Sequence, residues 1–435
     1  MKFSSAFAAA AALAGSASAL PLVSRQIVSN STSAAPATSM VMNASTGFTQ
    51  GAAYFLTNEP QGNFVVSADI GSDGTIALAR AYATAGRGQH GLDGADGPDG
   101  MFSQGAVKVS PATNLLAAVN PGSNTVSLFK IDPNTPSLLT QFGLPVSSEG
   151  EFPMSLAFNS AGNQVCVLNG GSINGVNCYM VDSTLGLVAM NNSVRSLGLN
   201  QTTPATGPAG SASHVIFSED GKSLVASVKG VPPTPGFFAI WDVASDGTLS
   251  QNFTKVNPPT GGLLPFSMTA IPGKNAILAT DAGVGVDILD MSNLQPAING
   301  STNSTGESSI LPIQGQGATC WSTFSPQSGN FYVTDIDTSM VTEVGLDANL
   351  KPSIVKQYPQ GNNSATIDLD AATIGGKDFL YILMPNVTSV QVMAVNGPGQ
   401  AQNIQTVDIS GPAAQVGLTV SKANLQGMTA FIKPS

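Results

Sequence analysis

His214-Val215-Ile216-Phe217-Ser218 is followed by a turn and then by Leu224-Val225-Ala226-Ser227-Val228, and the same pairing recurs along the chain. Ala106–Ser110 leads to Leu115–Val119, Leu156–Asn159 to Val165–Leu168, Met268–Ile271 to Ala276–Thr280, and Ser322–Ser325 to Phe331–Thr334. In five of these units the second strand ends at a comparable place, at Asn120, Asn169, Val228, Asp281 and Asp335. A third strand follows, as in Thr125–Ile131 and Phe237–Val243, and then a more variable fourth. Short apolar runs separated by Gly, Pro, Asn and Asp, without a sustained 3.6-residue period, make the chain all-β. A unit of four strands recurring about every 50 residues cannot bury both of its faces alone and must stack on its neighbours, as propeller blades do.

Blade starts fall near Gly51, Gly105, Pro153, Ser213, Pro265, Ala318 and Asp368. The reading is therefore a seven-bladed β-propeller with four-stranded antiparallel blades, and the variable fourth strands leave six or eight as alternatives. Tyr54–Thr57 already resembles a second strand, so the first blade lacks its leading strand. A C-terminal segment is expected to close the ring, with Val416–Val420 as the candidate.

Ahead of the repeat, Lys2, an apolar run from Phe3 to Leu13, and Ala17-Ser18-Ala19 compose a signal peptide over residues 1–19. Residues 20–50 are rich in Ser, Thr and Ala and read as a disordered linker or pro-segment, leaving 51–435 as a single propeller domain. No later segment reaches the roughly 20 apolar residues of a membrane span. Export to the cell exterior or the cell wall is expected. Nine Asn-x-Ser/Thr triplets, at Asn30, Asn43, Asn191, Asn200, Asn252, Asn299, Asn303, Asn362 and Asn386, make the chain a candidate glycoprotein. Cys166 and Cys178 flank one hairpin and are expected to form a disulfide, which leaves Cys320 as a buried free thiol. Net charge −10 with few charged residues gives no electrostatic attraction for nucleic acid or an anionic membrane, and a monomer is expected.

Gly88-Gln89-His90-Gly91, Phe102-Ser103-Gln104-Gly105 and Gly150-Glu151-Phe152-Pro153-Met154-Ser155 carry a resemblance. The repeat resembles the seven-bladed lactonase family, and these stretches resemble its secreted fungal carboxymuconate-cyclase-like members. The resemblance implies a site at the channel mouth built from a His opening a middle blade, two Arg and a Glu. His214 matches the His by position, and Asp281 stands near the Glu. The places of the two Arg read Leu264-Pro265-Phe266-Ser267-Met268 and Asp335-Ile336-Asp337. Arg25, Arg80, Arg87 and Arg195 are the only arginines, so neither cation is in its place.

The two histidines, His90 and His214, fall in segments expected to rim the channel, with Glu149 and Glu151 from the blade between them. His214, Glu151, His90 and Arg87 are thus the candidate catalytic set for activating water on a lactone. Asp93, Asp96 and Asp99 recur among glycines in a possible lid, without the spacing of an EF-hand, and no metal or other cofactor is expected. Trp241 and Trp321 read as core. Two functions remain. One is an extracellular binding or adhesion propeller with a degenerate catalytic site, its partner a cell-wall glycan or host matrix protein. The other is a lactone-forming or lactone-opening enzyme, either cycloisomerase-like or a lactonase, acting on a small lactone or carboxylate.

Overall fold

Leu115–Asn120, Gln164–Asn169, Ala276–Asp281 and Asn330–Asp335 are buried along their whole length. A strand covered on both faces needs a sheet on either side, and stacking blades provides it. The computed structural model describes residues 39–43, 49–94, 96–292, 294, 302–303 and 308–434. The expected signal peptide, most of the expected linker, and the sequons at Asn30 and Asn299 lie outside these residues.

Seven sheets follow one another around a ring, each built on four strands in antiparallel order. The innermost strands of blades 2 to 7 are Val107–Ser110, Pro153–Phe158, Ala212–Phe217, Pro265–Ala270, Thr319–Ser325 and Leu369–Ile374. Blade 1 takes its innermost strand, Gln426–Ile432, from the C-terminal end, where it pairs antiparallel with Gly51–Leu56. That strand also packs against Leu369–Ile374 and Val107–Ser110, completing the ring of seven.

The closing strand is thus not Val416–Val420, which lies outside any strand after the short helix Ser410–Gln415. Gly417 turns the chain there at φ 73°, and Leu418 packs into the core below. Ser39–Val41, inside the stretch expected to be linker, pairs with Ile76–Ala83 and extends blade 1 outward. Its anchor is Met42, buried in the core cluster shared with blade 7.

In blades 2, 3, 5 and 6 the second strand ends in a polar residue, Asn120, Asn169, Asp281 or Asp335, and in the last three this residue ties the incoming connection to its blade. Asp281 accepts from Leu263 N (2.6 Å) and Leu264 N (2.9 Å), and Asp335 from Gly317 N (2.8 Å) and Ala318 N (3.2 Å). Asn169 donates to Ser148 O at 3.0 Å. Trp241 and Trp321 are fully buried, as expected of core residues. Cys166 and Cys178 face each other across one ladder and are joined by a disulfide, and Cys320 is buried and free. Among the described residues no helix is long and apolar enough to cross a membrane.

Candidate functional site

The innermost strands set what lines the axis, and their sequences are almost free of charge. Lys108, His214 and Asp370 are the only charged or imidazole side chains in all seven. They come from blades 2, 4 and 7, and all three line one axial cavity of about 430 Å³. Gln104, Met268, Thr269, Ser322 and Thr323 complete its polar and apolar wall, and Phe158, Ser160, Ser218 and Glu219 stand at the turns joining first to second strands. The cavity therefore opens on this hairpin face, not on the face where blades are connected.

The connection face is sealed by the chain itself. Met101–Gln104 is buried and stapled to four blades. The Gln104 amide donates to Ser322 O (2.9 Å) and accepts from Ser322 N (3.1 Å), imitating one step of a β-ladder across the axis. Trp321 Nε1 and Gln426 Nε2 both donate to Ser103 O, at 3.0 and 2.9 Å. Lys229 Nζ donates to Phe102 O (2.8 Å), Ala212 O (3.0 Å) and the Ser213 hydroxyl. Lys229 follows Val228, which stands where blades 2, 3, 5 and 6 carry the polar strand-end residue, and its ammonium fixes the plug. Burial holds the Lys229 pKa down to about 7, against the opposing pull of the buried Asp99. Asp99 is pushed well up, chiefly by burial.

His214 lies within its innermost strand, fully buried, and not in a rim connection. Its Nδ1 accepts from Met268 N at 3.0 Å, so Nε2 carries the ring proton. That Nε2–H has no hydrogen-bond partner and faces the Cα of Gly105. Burial, reinforced by the nearby Lys108 ammonium, holds the imidazole well below the usual histidine range, which keeps it neutral at pH 7. Gly105 is required here. Its φ is +87°, and a Cβ would lie 2.9 Å from Ser155 Oγ and 3.0 Å from His214 Nε2.

The remaining residues of the expected catalytic set find their partners elsewhere. His90 has Nδ1 2.7 Å from Gly91 O and Nε2 2.8 Å from Gly97 O, within its own loop. Glu151 accepts from the Thr203 hydroxyl. Arg87 is exposed and donates to Gly122 O at 3.3 Å. Arg195 is locked by the carbonyls of Leu249 (2.7 Å) and Ser250 (2.7 Å), far from any channel role. Asp281 spends its oxygens on main-chain N–H groups. His90, Asp93 and Asp96 bring one ligand atom each within 4.8 Å of one another, but both imidazole nitrogens already face carbonyls. Asp99 belongs to the plug, where it accepts from Ser103 N (3.2 Å) and Gln426 Nε2 (3.0 Å).

With these positions established, comparison with known proteins is informative about the fold. Residues 49–198 match the family model "Lactonase, 7-bladed beta-propeller". The whole chain is similar in fold to the periplasmic gluconolactonase PpgL of Pseudomonas aeruginosa, with TM-score 0.57 and 16% identity over 92% of this chain and 100% of that one. Two proteins provisionally described as 6-phosphogluconolactonases are also similar. The one from Bacteroides fragilis has TM-score 0.52 and 14% identity, covering 92% of this chain and 99% of that one. The one from Bacteroides uniformis has TM-score 0.57 and 14% identity, covering 88% and 99%. No curated protein sequence matches the chain. The architecture these structures share with the chain is the seven-bladed β-propeller.

His214, a candidate from the sequence, lies in this cavity wall, and it shares the wall with Lys108 and Asp370, which were not among the candidates. The signal was present: a single Lys in Val107-Lys108-Val109 and a single Asp in Leu369-Asp370-Ala371 interrupt otherwise uncharged inner strands.

Proposed function

We propose that this chain is an extracellular binding propeller of lactonase type that does not hydrolyse lactones. One observation carries the reading: the lone pair of His214 is committed to Met268 N, and its other nitrogen bears a proton. A histidine in this state can donate a hydrogen bond but cannot take a proton from water. The plug reinforces the reading by closing the connection-face mouth, and the arginines that would steady a developing oxyanion are missing from their places. The Cys166–Cys178 disulfide supports an oxidising, extracellular location, and Asn43, Asn191, Asn200, Asn252 and Asn362 stand exposed for glycosylation. A cell-wall glycan or host matrix protein is the macromolecular partner within this reading.

The lactone-opening alternative is favoured by the family match over residues 49–198. One assay decides between them. Purified secreted protein is offered glucono-1,5-lactone, carboxymuconolactone and other lactones in a pH-stat, beside His214→Ala. The expected result is no proton release above the uncatalysed rate for either protein. Turnover by the wild type that His214→Ala abolishes overturns the binding reading.

A further inference from the structure

Three blades build their outermost strand in the same way. Ile76–Ala83, Pro352–Pro359 and Ala401–Asp408, in blades 1, 6 and 7, have eight residues each. In each, the ladder to the third strand is interrupted by a bulge at the fourth residue, Ala79, Val355 or Ile404. The likeness extends to Tyr82 and Tyr358, whose hydroxyls both reach the next blade. The first donates to Ser137 O at 3.0 Å, and the second accepts from Ala401 N at 3.3 Å. Of the three, only blade 1 has a strand on its outer edge among the described residues.

In blade 1 the occupant is the chain itself. Ser39, Met40 and Val41 pair antiparallel with Tyr82, Ala81 and Arg80. Met42 N then donates to the carbonyl of the bulged Ala79 at 2.9 Å, and the Met42 side chain joins Ile70, Ile76 and Leu78 in one buried cluster. The edge is dry as a result: Ile70 is fully buried, and Leu78 and Ala79 are each 2% exposed. Blade 6 keeps apolar residues at these positions and leaves them uncovered. Leu346, the counterpart of Ile70, is half-buried, and Ile354 and Val355, the counterparts of Leu78 and Ala79, are each 40% exposed. Blade 7 has Asn403 in place of Ile354, so blade 6 is the closer copy.

Charge narrows what fits there. Lys356 takes the place of Arg80 and is the only charged residue of Pro352–Pro359. Its exposed ammonium lies 3.0 Å from Gly399 O and over the Tyr358 ring, and it makes no ion pair among the described residues. Glu343, beside it in the ladder, is fully buried and accepts from Asn330 Nδ2 (2.6 Å), the Tyr358 hydroxyl (2.6 Å) and Gly399 N (3.0 Å). Asp347, in the turn before the strand, accepts from Lys351 N (2.9 Å) and has the charge of Lys351 in the same turn to match it. The charge presented outward along the strand is positive. Pro352 and Pro359 bound the edge, which discourages open-ended pairing of sheets and suits a short added strand.

We propose that the outer edge of blade 6 is a docking site for an extended segment of a partner protein, added antiparallel to Pro352–Pro359. The segment sets an acidic residue opposite Lys356 and then an apolar residue over Leu346, Ile354 and Val355, as Val41 and Met42 are set in blade 1. Main-chain hydrogen bonds supply the affinity and these two side chains the selectivity. The edge lies on the outer rim and not in the axial cavity, so lactone turnover has no bearing on it.

The test is calorimetry on the purified protein with a blocked peptide of residues 38–44 carrying Val41→Glu, beside the same peptide carrying Val41→Lys. The Glu peptide is expected to bind about threefold or more tightly than the Lys peptide, the swing of one cross-strand charge pair. Lys356→Glu is expected to reverse that preference. Ile354→Asn combined with Val355→Asn is expected to cost both peptides at least about tenfold through lost apolar burial. Ile404→Asn on blade 7 is expected to change nothing. The substituted side chains are exposed, so thermal melts like that of the wild type are expected. No binding at millimolar peptide, or a preference that Lys356→Glu leaves unreversed, overturns the proposal. So does binding that survives the double substitution, as exchange with Ser39–Val41 in blade 1 would. A wild-type dimer in sedimentation that the double substitution abolishes would assign the edge to a second copy of this chain and overturn it as well.

Discussion

His214 and the buried Asp368 both feel the Lys108 ammonium, and they push stability in opposite directions with pH. The histidine's folded pKa lies below its unfolded value of about 6.5, so the unfolded chain binds the extra proton below that pH. Its contribution is complete above pH 6.5 and is lost as pH falls. Asp368 keeps its proton to about pH 7 when folded, against about 3.9 when unfolded. Its contribution is complete below about pH 4 and is lost as pH rises toward 7. The two slopes partly cancel between pH 4 and 6.5 in the wild type. His214→Gln, whose amide oxygen can still accept from Met268 N, is expected to become more stable on acidification across this window relative to wild type. Asp368→Asn is expected to lose stability more steeply over the same range. Thermal midpoints measured at half-unit pH steps decide it, and parallel curves for all three proteins would exclude a buried neutral His214.

The plug is the element that separates this molecule from an open channel, and Gly105 is the point where it is most sensitive. Gly105→Ala adds a methyl group between Ser155 and His214 while forcing an L-residue to φ +87°, so a loss of about 1–3 kcal/mol is expected. Gly94→Ala shares the positive φ of +80° but meets nothing within 4 Å, so only the backbone term of about 1–2 kcal/mol applies. Urea unfolding of the two variants measures the difference, and equal losses would show that the Gly105 site is not tightly packed. Elements of this kind were unevenly legible in the sequence. The hairpin carrying Cys166 and Cys178 could be read because its partners are close along the chain. The repeat gave the blade starts because every blade solves the same burial problem. Val416–Val420 and Gln426–Ile432 have similar local β-propensity, and only contact with two distant strands decides which one closes the ring. Phe102-Ser103-Gln104-Gly105 stands out as a motif, yet its role as the plug depends on Ser322, Lys229 and Gln426, each more than 100 residues away. Lys108, His214 and Asp370 meet for the same reason, through the ring and not through any local spacing.

At the scale of the whole molecule, the ring converts one terminal strand into a condition for everything inside it. Gln426–Ile432 covers the edge of Gly51–Leu56, six residues that are all buried, and buries Met428 and Phe431 between blades 7 and 2. Burying two such side chains is worth about 1.5–3 kcal/mol each. The ladder and the Gln426 amide, which joins Asp99, Ser103 and Asp368, add further hydrogen bonds of about 1 kcal/mol each. The total approaches the whole stability of a domain, about 5–15 kcal/mol. A chain ending before Gln426 is therefore expected to lose its cooperative unfolding transition and to associate through the uncovered edge. A chain ending after Ile432 loses only Lys433, Pro434 and Ser435 and is expected to unfold as the full protein does. Circular dichroism melts and light scattering compare the two, and a normal melt of the shorter chain would mean that the blades hold together without closure.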